Sequence, residues 1–262
     1  MSAFLILTGE AIRDAARRRI VAVIAVLSLL SLMIVESCTS CSPGEVIVDG
    51  QLREMVDFSG YTGAVTFISL GLWCVVLAGV LAAEHLAQTL ADGSATLGLS
   101  RPVGRFTFAA ARLAGALSIA WGTTLVLLGG TAFFLSERSD LPLAPAAWAG
   151  VAVGVSGLIV GAAAMALSLY LPRMATVLVV FAGVGTIFLA NASELIRESS
   201  SGFLGWVDQL GPPLLTSLAL ALSPWVPQLE LPTTAAQVTW PLALWAAASV
   251  AFLAVAFRRF EI

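Results

Sequence analysis

Three groups of residues in this chain have types and spacings that could do chemistry. Gly154-Val-Ser156-Gly157 has the Gly-x-Ser-Gly form of an intramembrane serine nucleophile. Glu84-His85 could relay a proton, and Cys38-Thr-Ser-Cys41 could close a local disulfide, stay as free thiols or supply part of a metal site. A serine nucleophile needs a base within hydrogen-bond reach, and the chain has 1 histidine, His85. Hydropathy places Ser156 near the centre of one apolar stretch and His85 at the edge of another, half a bilayer or ~15 Å apart in depth. The protease reading therefore fails on geometry. Glu84 and His85 read as a water-solvated helix end rather than a relay, because the apolar stretches carry hydroxyls near their centres but no acid or base. Two cysteines make an incomplete zinc site, so no metal centre is expected; Cys74, inside an apolar stretch, reads as a small core residue.

The elements that must position these groups are membrane spans. Of 262 residues, 59% are hydrophobic and 11% charged, and the mean hydropathy is +0.96, which excludes an ordinary soluble domain. A hydrocarbon core about 30 Å thick needs ~20 apolar residues per helix. Six stretches approach this: Ile20–Val35, Val65–Ala83, Phe106–Leu135, Ala146–Leu171, Ala175–Leu195 and Trp240–Phe257. The expected fold is all-α and polytopic, a single transmembrane domain over 1–262. Proline-containing connectors punctuate it at Ser42–Gly44, Leu141–Pro145, Leu171–Arg173 and Gly211–Pro232.

Lysine is absent, so all 13 positive charges are arginines. With the amino terminus inside, ten fall on the cytoplasmic side and three (Arg53, Arg138, Arg197) outside, which selects cytoplasmic termini. Eleven of the 16 carboxylates fall outside, so the net charge of -3 conceals a polarised molecule. The missing amine also excludes a Walker A loop, whose lysine reaches the nucleotide phosphates, and any Schiff-base or serine–lysine mechanism. If ATP drives this protein, the nucleotide binds another chain.

Two further segments are expected to form short helices. In residues 1–19, Phe4, Leu7, Ala11 and Ala15 share one helical face while Glu10, Arg13, Asp14 and Arg17 lie largely opposite. This suits an interfacial helix, and equally a positively charged topology anchor. In the segment 191–239, Phe203, Leu204, Trp206, Val207 and Leu210 suggest one amphipathic helix, broken by Pro212-Pro213; Leu214–Leu222 is apolar but too short to cross. Such backbone must satisfy its own hydrogen bonds, either as helices dipping into the outer leaflet or as an interfacial belt anchored by Trp206, Trp225 and Trp240. Gly150, Gly154, Gly157 and Gly161 form a small-residue stripe at i, i+4, i+7 and i+11, where another helix could approach closely.

Between the second and third spans lies Asp92-Gly-Ser-Ala-Thr-Leu-Gly-Leu-Ser-Arg-Pro-Val-Gly-Arg105, within a connector at 84–105. A polar turn with an Arg-Pro pair would suffice to return the chain to the membrane. The string is more specific than that. From Asp92 to Gly115 it resembles the cytoplasmic coupling segment of type-two ATP-binding-cassette permeases, matching in type at Gly93, Leu97, Leu99, Ser100, Arg101, Pro102, Arg105, Phe108 and Gly115. It departs from the family in Asp92 where glutamate is frequent, Ala95 and Gly98 where larger apolar residues are frequent, and Arg112 where lysine is frequent. The amino-terminal elbow helix, the outer helices and the Phe257-Arg-Arg-Phe-Glu-Ile262 tail resemble the family as well, in all roughly a third of the chain.

The resemblance implies a permease subunit of a bacterial exporter in the inner membrane, working as a dimer with a second copy or a similar permease. ATP and Mg would be held by a separate ATPase subunit; this chain would carry no cofactor, no catalytic residue and no nucleic-acid site. The coupling helix, over Asp92, Gly93, Ser94, Thr96, Leu97, Leu99 and Ser100, would sit in a groove of the ATPase. Pro102 would end that helix, and Arg101 and Arg105 would hold its exit at the headgroups or pair with acids of the partner. Two other classes remain open: an ATPase-independent channel or transporter, and a structural or regulatory membrane subunit that uses the same docking surface.

Overall fold

The computed structural model describes residues 3–16, 26, 33, 47–48, 51–52, 56–91, 104–195, 202–226 and 233–259. Among them are eight α-helices: α1 (Ala3–Ala16), α2 (Val56–Ala91), α3 (Arg105–Ser139), α4 (Leu143–Leu167), α5 (Arg173–Leu195), α6 (Phe203–Leu210), α7 (Leu214–Leu222) and α8 (Ala235–Arg259). A two-residue antiparallel ribbon pairs Ile47 with Leu52 and Val48 with Gln51. Five of the helices, α2, α3, α4, α5 and α8, are long and apolar enough to cross a membrane. The protein is therefore an all-α polytopic membrane protein. The expected first span, Ile20–Val35, falls outside the described residues except at Val26 and Met33, which are helical.

Helix ends follow local chemistry. The fourth span was expected to reach Leu171, but α4 stops at Leu167, and Ser168–Tyr170 form a turn before Pro172. Proline cannot continue the ladder and biases Leu171 away from helix, so Pro172 instead precedes the first residue of α5. At the other end of the bundle α3 closes on Asp140 in the left-handed region (φ 49°), and Pro142 precedes α4. The expected break at Pro212-Pro213 separates α6 from α7.

In lipid, helix association depends on close packing and polar contacts rather than on water exclusion. Glycines on α2 meet bulky side chains of its neighbours. A Cβ on Gly71 would lie 2.8 Å from Leu218 and 3.0 Å from Val153, and one on Gly79 would lie 2.8 Å from both Val160 and Val180. These contacts set the register of α2 beside α4 and show that the two run in the same direction. On α4, Gly157 faces Ala78, and Gly161 faces Leu117, Ala82 and the Ala78 carbonyl. The other two glycines of the stripe differ: Gly154 has Trp121 Nε1 nearby, and Gly150 has open space, so the close approach involves half of the stripe. Since Gly161 is level with Leu117, α3 continues about 9 Å past the end of α4 on the side where α2 ends and α3 begins, here called the connector end.

Helix α1 is not a free surface helix. Leu7 and Ala11 are buried against α3, with Phe4 packed beside them, and Ala11 touches Gly115 so closely that a Cβ there would lie 2.5 Å from the Ala11 Cβ. Leu5, Ile6 and Ile12 face outward with Glu10 and Arg13. Overpacking this contact costs about 1–3 kcal/mol. Gly115→Leu is accordingly expected to lower stability in detergent–denaturant titration, whereas Gly122→Leu, with open space around it, should not.

Candidate functional site

The connector end gathers most of the buried charge. Glu84 and His85, on the last turns of α2, are 9% and 2% exposed. The solvated helix end expected from sequence is therefore corrected. Leu81, Ala82 and Leu86, on either side of Glu84 and His85, belong to an apolar cluster with α1, α3, α4 and α8 that includes Leu7, Phe108, Ala109, Met165 and Phe257. Hydropathy places a span boundary but cannot register that other helices extend past it.

A buried carboxylate needs a partner, and Glu84 has one. Arg173, the first residue of α5 and 89 positions away, donates from Nε to Glu84 Oε1 at 3.0 Å and from Nη2 to the same oxygen. The glutamate side chain is largely enclosed while more than half of the arginine side chain stays exposed. Nearby in the same cluster the buried Arg112 guanidinium lies over the Phe108 ring, 5.4 Å from its centroid, and Phe108 packs on Phe257 of α8 at 6.2 Å. Tyr170 adds a contact between the α4–α5 turn and α8, its hydroxyl donating to Ala256 O at 3.4 Å. The connector ends of five helices are thus tied together beside the point where the connector leaves.

Of the residues expected to dock a partner, Asp92, Gly93, Ser94, Thr96, Leu97, Leu99, Ser100, Arg101 and Pro102 lie outside the described residues. Gly104, with extended backbone, precedes Arg105, the first residue of α3. Arg13 is exposed in the last turn of α1. Arg17, Cys38 and Cys41 also lie outside the described residues. Among the described residues no group of three His, Cys, Asp or Glu could hold a metal ion.

The far end is closed by α6 and α7. Helix α6 lies on the surface with Phe203, Trp206 and Leu210 exposed, while α7 is buried through Leu214, Leu215, Leu218 and Leu222. Trp225, in a 3-10 turn after α7, is 4% exposed, donates from Nε1 to Pro142 O at 2.9 Å and stacks edge-on against Phe67. It is a core residue, so the expected belt of Trp206, Trp225 and Trp240 retains only its first and last members, both well exposed. Asn191, buried near the end of α5, holds both short helices: its Nδ2 donates to Asp208 Oδ1 at 3.0 Å, and its Oδ1 accepts from Leu215 N at 3.2 Å.

The protease constellation is not assembled. Ser156 lies between the levels at which α4 meets Gly71 and Ala78, about 12 Å along α2 from His85. Ser156 is fully buried, and no described group pairs with its Oγ.

No protein-family model and no curated protein matches the chain. Sequence reasoning missed the Glu84–Arg173 pair and the Asn191 bridge. Each had a signal: an acid at a membrane edge calls for a cation on the same side, and a lone amide at the end of an apolar stretch calls for polar partners.

Proposed function

We propose that this chain is the permease subunit of an ATP-binding-cassette transporter, acting as an exporter in a bacterial inner membrane. It works as a dimer of permeases with two ATPase subunits and performs no chemistry of its own. The observation that carries this reading is the Asp92–Gly115 string, which leads from one of the two longest described helices into the start of the other. Three features support it. The start of α3 projects past the end of α4 at the end of the bundle where the connector leaves. The end of α2 that leads into the connector is tied by the Glu84–Arg173 ion pair to α5, a route by which a push on the connector would be transmitted. The far end carries two short helices, one buried and one on the surface, of the kind that could close a pathway. ATP binding would draw the ATPases together, the connector would follow, and a cavity between two permeases would switch from inward-facing to outward-facing.

The test is affinity purification of the tagged chain from native membranes in mild detergent, beside a variant carrying Gly93→Trp and Arg101→Glu. Wild type is expected to bring down an ATP-binding-cassette ATPase, and the variant to lose it while remaining folded and inserted. Recovery of no ATPase, under conditions that preserve a known permease complex, would turn the reading to an ATPase-independent channel or transporter.

A further inference from the structure

Helix α5, like α8, is held less closely than α2, α3 and α4. In its most apolar window 28% of residues are buried, as in α8, against 61% in α4, and Leu178, Val179, Phe181 and Leu189 are exposed. Its packed flank is a narrow stripe, Thr176, Val180, Val184 and Ala190, with Val180 set against Gly79, and beside it Phe181 meets Trp73 of α2 edge-on at 6.3 Å. At each end, however, it carries a specific polar joint. Arg173 pairs with Glu84 of α2, eight residues before Asp92 opens the connector string. Eighteen residues on, about 27 Å along the axis, Asn191 holds α6 through Asp208 and α7 through Leu215 N.

We infer that α5 is a strut that couples the connector end of the bundle to the α6–α7 plug, with Glu84–Arg173 and Asn191–Asp208 as its two joints. A helix resists changes of length, so a rod anchored at both ends and loosely packed along its side moves as a unit. A displacement of the end of α2 reaches the start of α5 through the ion pair, and the other end of α5 lifts or seats the plug through Asn191. Arg173, Glu84 and Asn191 are positioning residues in this device. The inference rests on the transporter reading for its purpose but not for its test, which needs no ATPase.

The full chain, with Cys38, Cys41 and Cys74 replaced by serine or alanine, would carry Ser217→Cys as reporter. Ser217 is buried in α7 and its hydroxyl bonds only to Leu214 O of its own helix. The protein is reconstituted in phosphatidylcholine–phosphatidylglycerol vesicles, and its labelling by a membrane-impermeant maleimide is timed. Glu84→Gln and Arg173→Gln are each expected to raise the labelling rate at position 217 about fivefold or more, the low end of typical coupling between sites. The exchange Glu84→Arg with Arg173→Glu should return the rate to within about twofold of the parent, showing that the ion pair itself sets the rate. Phe108→Leu disturbs the same end of the bundle through α3 and α8, not through α5, and should leave the rate unchanged. Single variants that label at the parental rate would overturn the strut. Equal acceleration by Phe108→Leu would overturn it too, since that marks general loosening. An ATPase missing from the affinity purification, with these rates as expected, would remove the transporter reading and leave the strut in place.

Discussion

Gly60→Val is expected to unseat α7 and the turn that follows it from α2 and to cost about 3 kcal/mol or more, the upper range for overpacking a well-filled site. A Cβ on Gly60 would run into the carbonyl oxygen of Trp225, and the carbonyl carbon would lie 3.1 Å away. The obstacle is backbone, so no rotamer change relieves it. Nor can Trp225 withdraw, because its indole is bonded to Pro142 O and its ring is stacked on Phe67 of α2 itself. Either α2 shifts, which disturbs Gly71 against Leu218 and Val153, or the 3-10 turn leaves and exposes the Phe67 ring. The measurement is a thermal unfolding midpoint in detergent, with limited proteolysis of the far end alongside. Gly129→Val and Gly150→Val are the controls, since neither glycine has any atom within 4 Å of an added Cβ. A Gly60→Val protein as stable as these controls would mean that α7 and its turn do not sit against α2.

The contrast between these glycines also marks what sequence can carry. A small-residue stripe at helical spacing says that one face of α4 permits close approach, but not which members are used. Gly157 and Gly161 face α2, while Gly150 faces open space, because the lateral placement of α2 is decided by Gly71, Gly79 and the valines opposite them. The long apolar stretches fix the membrane class and most span positions, since backbone satisfaction in lipid leaves helices as the solution for apolar segments of this length. They do not fix helix ends. Helices α2 and α3 each exceed the hydrocarbon thickness, and their extra turns are polar or small enough to read as connector.

Trp225 and Asn191 illustrate the other limit. Indole rings concentrate at membrane interfaces, so Trp225, Trp206 and Trp240 read alike in sequence. Trp225 departs from the group because Pro142 offers a carbonyl at the end of α3–α4 and Phe67 offers a ring face, partners 83 and more positions away in the chain. Non-local polar pairing has no periodic signature. The same holds for Glu84 with Arg173, whose compatibility of sign and side was visible but whose contact depends on the turn after α4 folding Arg173 back toward α2.

Asn191→Leu is expected to release α6 and α7 from α5 while leaving the five spanning helices in place. The side chain bridges three elements with two bonds, and leucine, of similar size, would fill the space without replacing either. The Leu215 amide belongs to the first turn of α7, where backbone donors have no intrahelical acceptor, and Leu215 is buried. Leaving that donor without a partner costs about 1–3 kcal/mol, and leaving the Asp208 carboxylate without its donor adds to this. Bonds between membrane helices average nearer 0.6 kcal/mol because separated helices find other partners in lipid. Here the acceptor replaces a missing helix bond at a buried end, so about 2 kcal/mol is the expected loss in a detergent–denaturant titration. Asn191→Asp should cost more, since it sets a carboxylate against Asp208 where the native amide donates at 3.0 Å. Asn191→Gln retains both functions on a longer stem and should recover part of the loss. The ordering Asn, Gln, Leu, Asp from most to least stable is specific to a bridging amide. Equal loss in all three variants would mean that Asn191 merely fills space, and the far-end joint of α5 would have to be sought in the contact of Ile187 with Gly211.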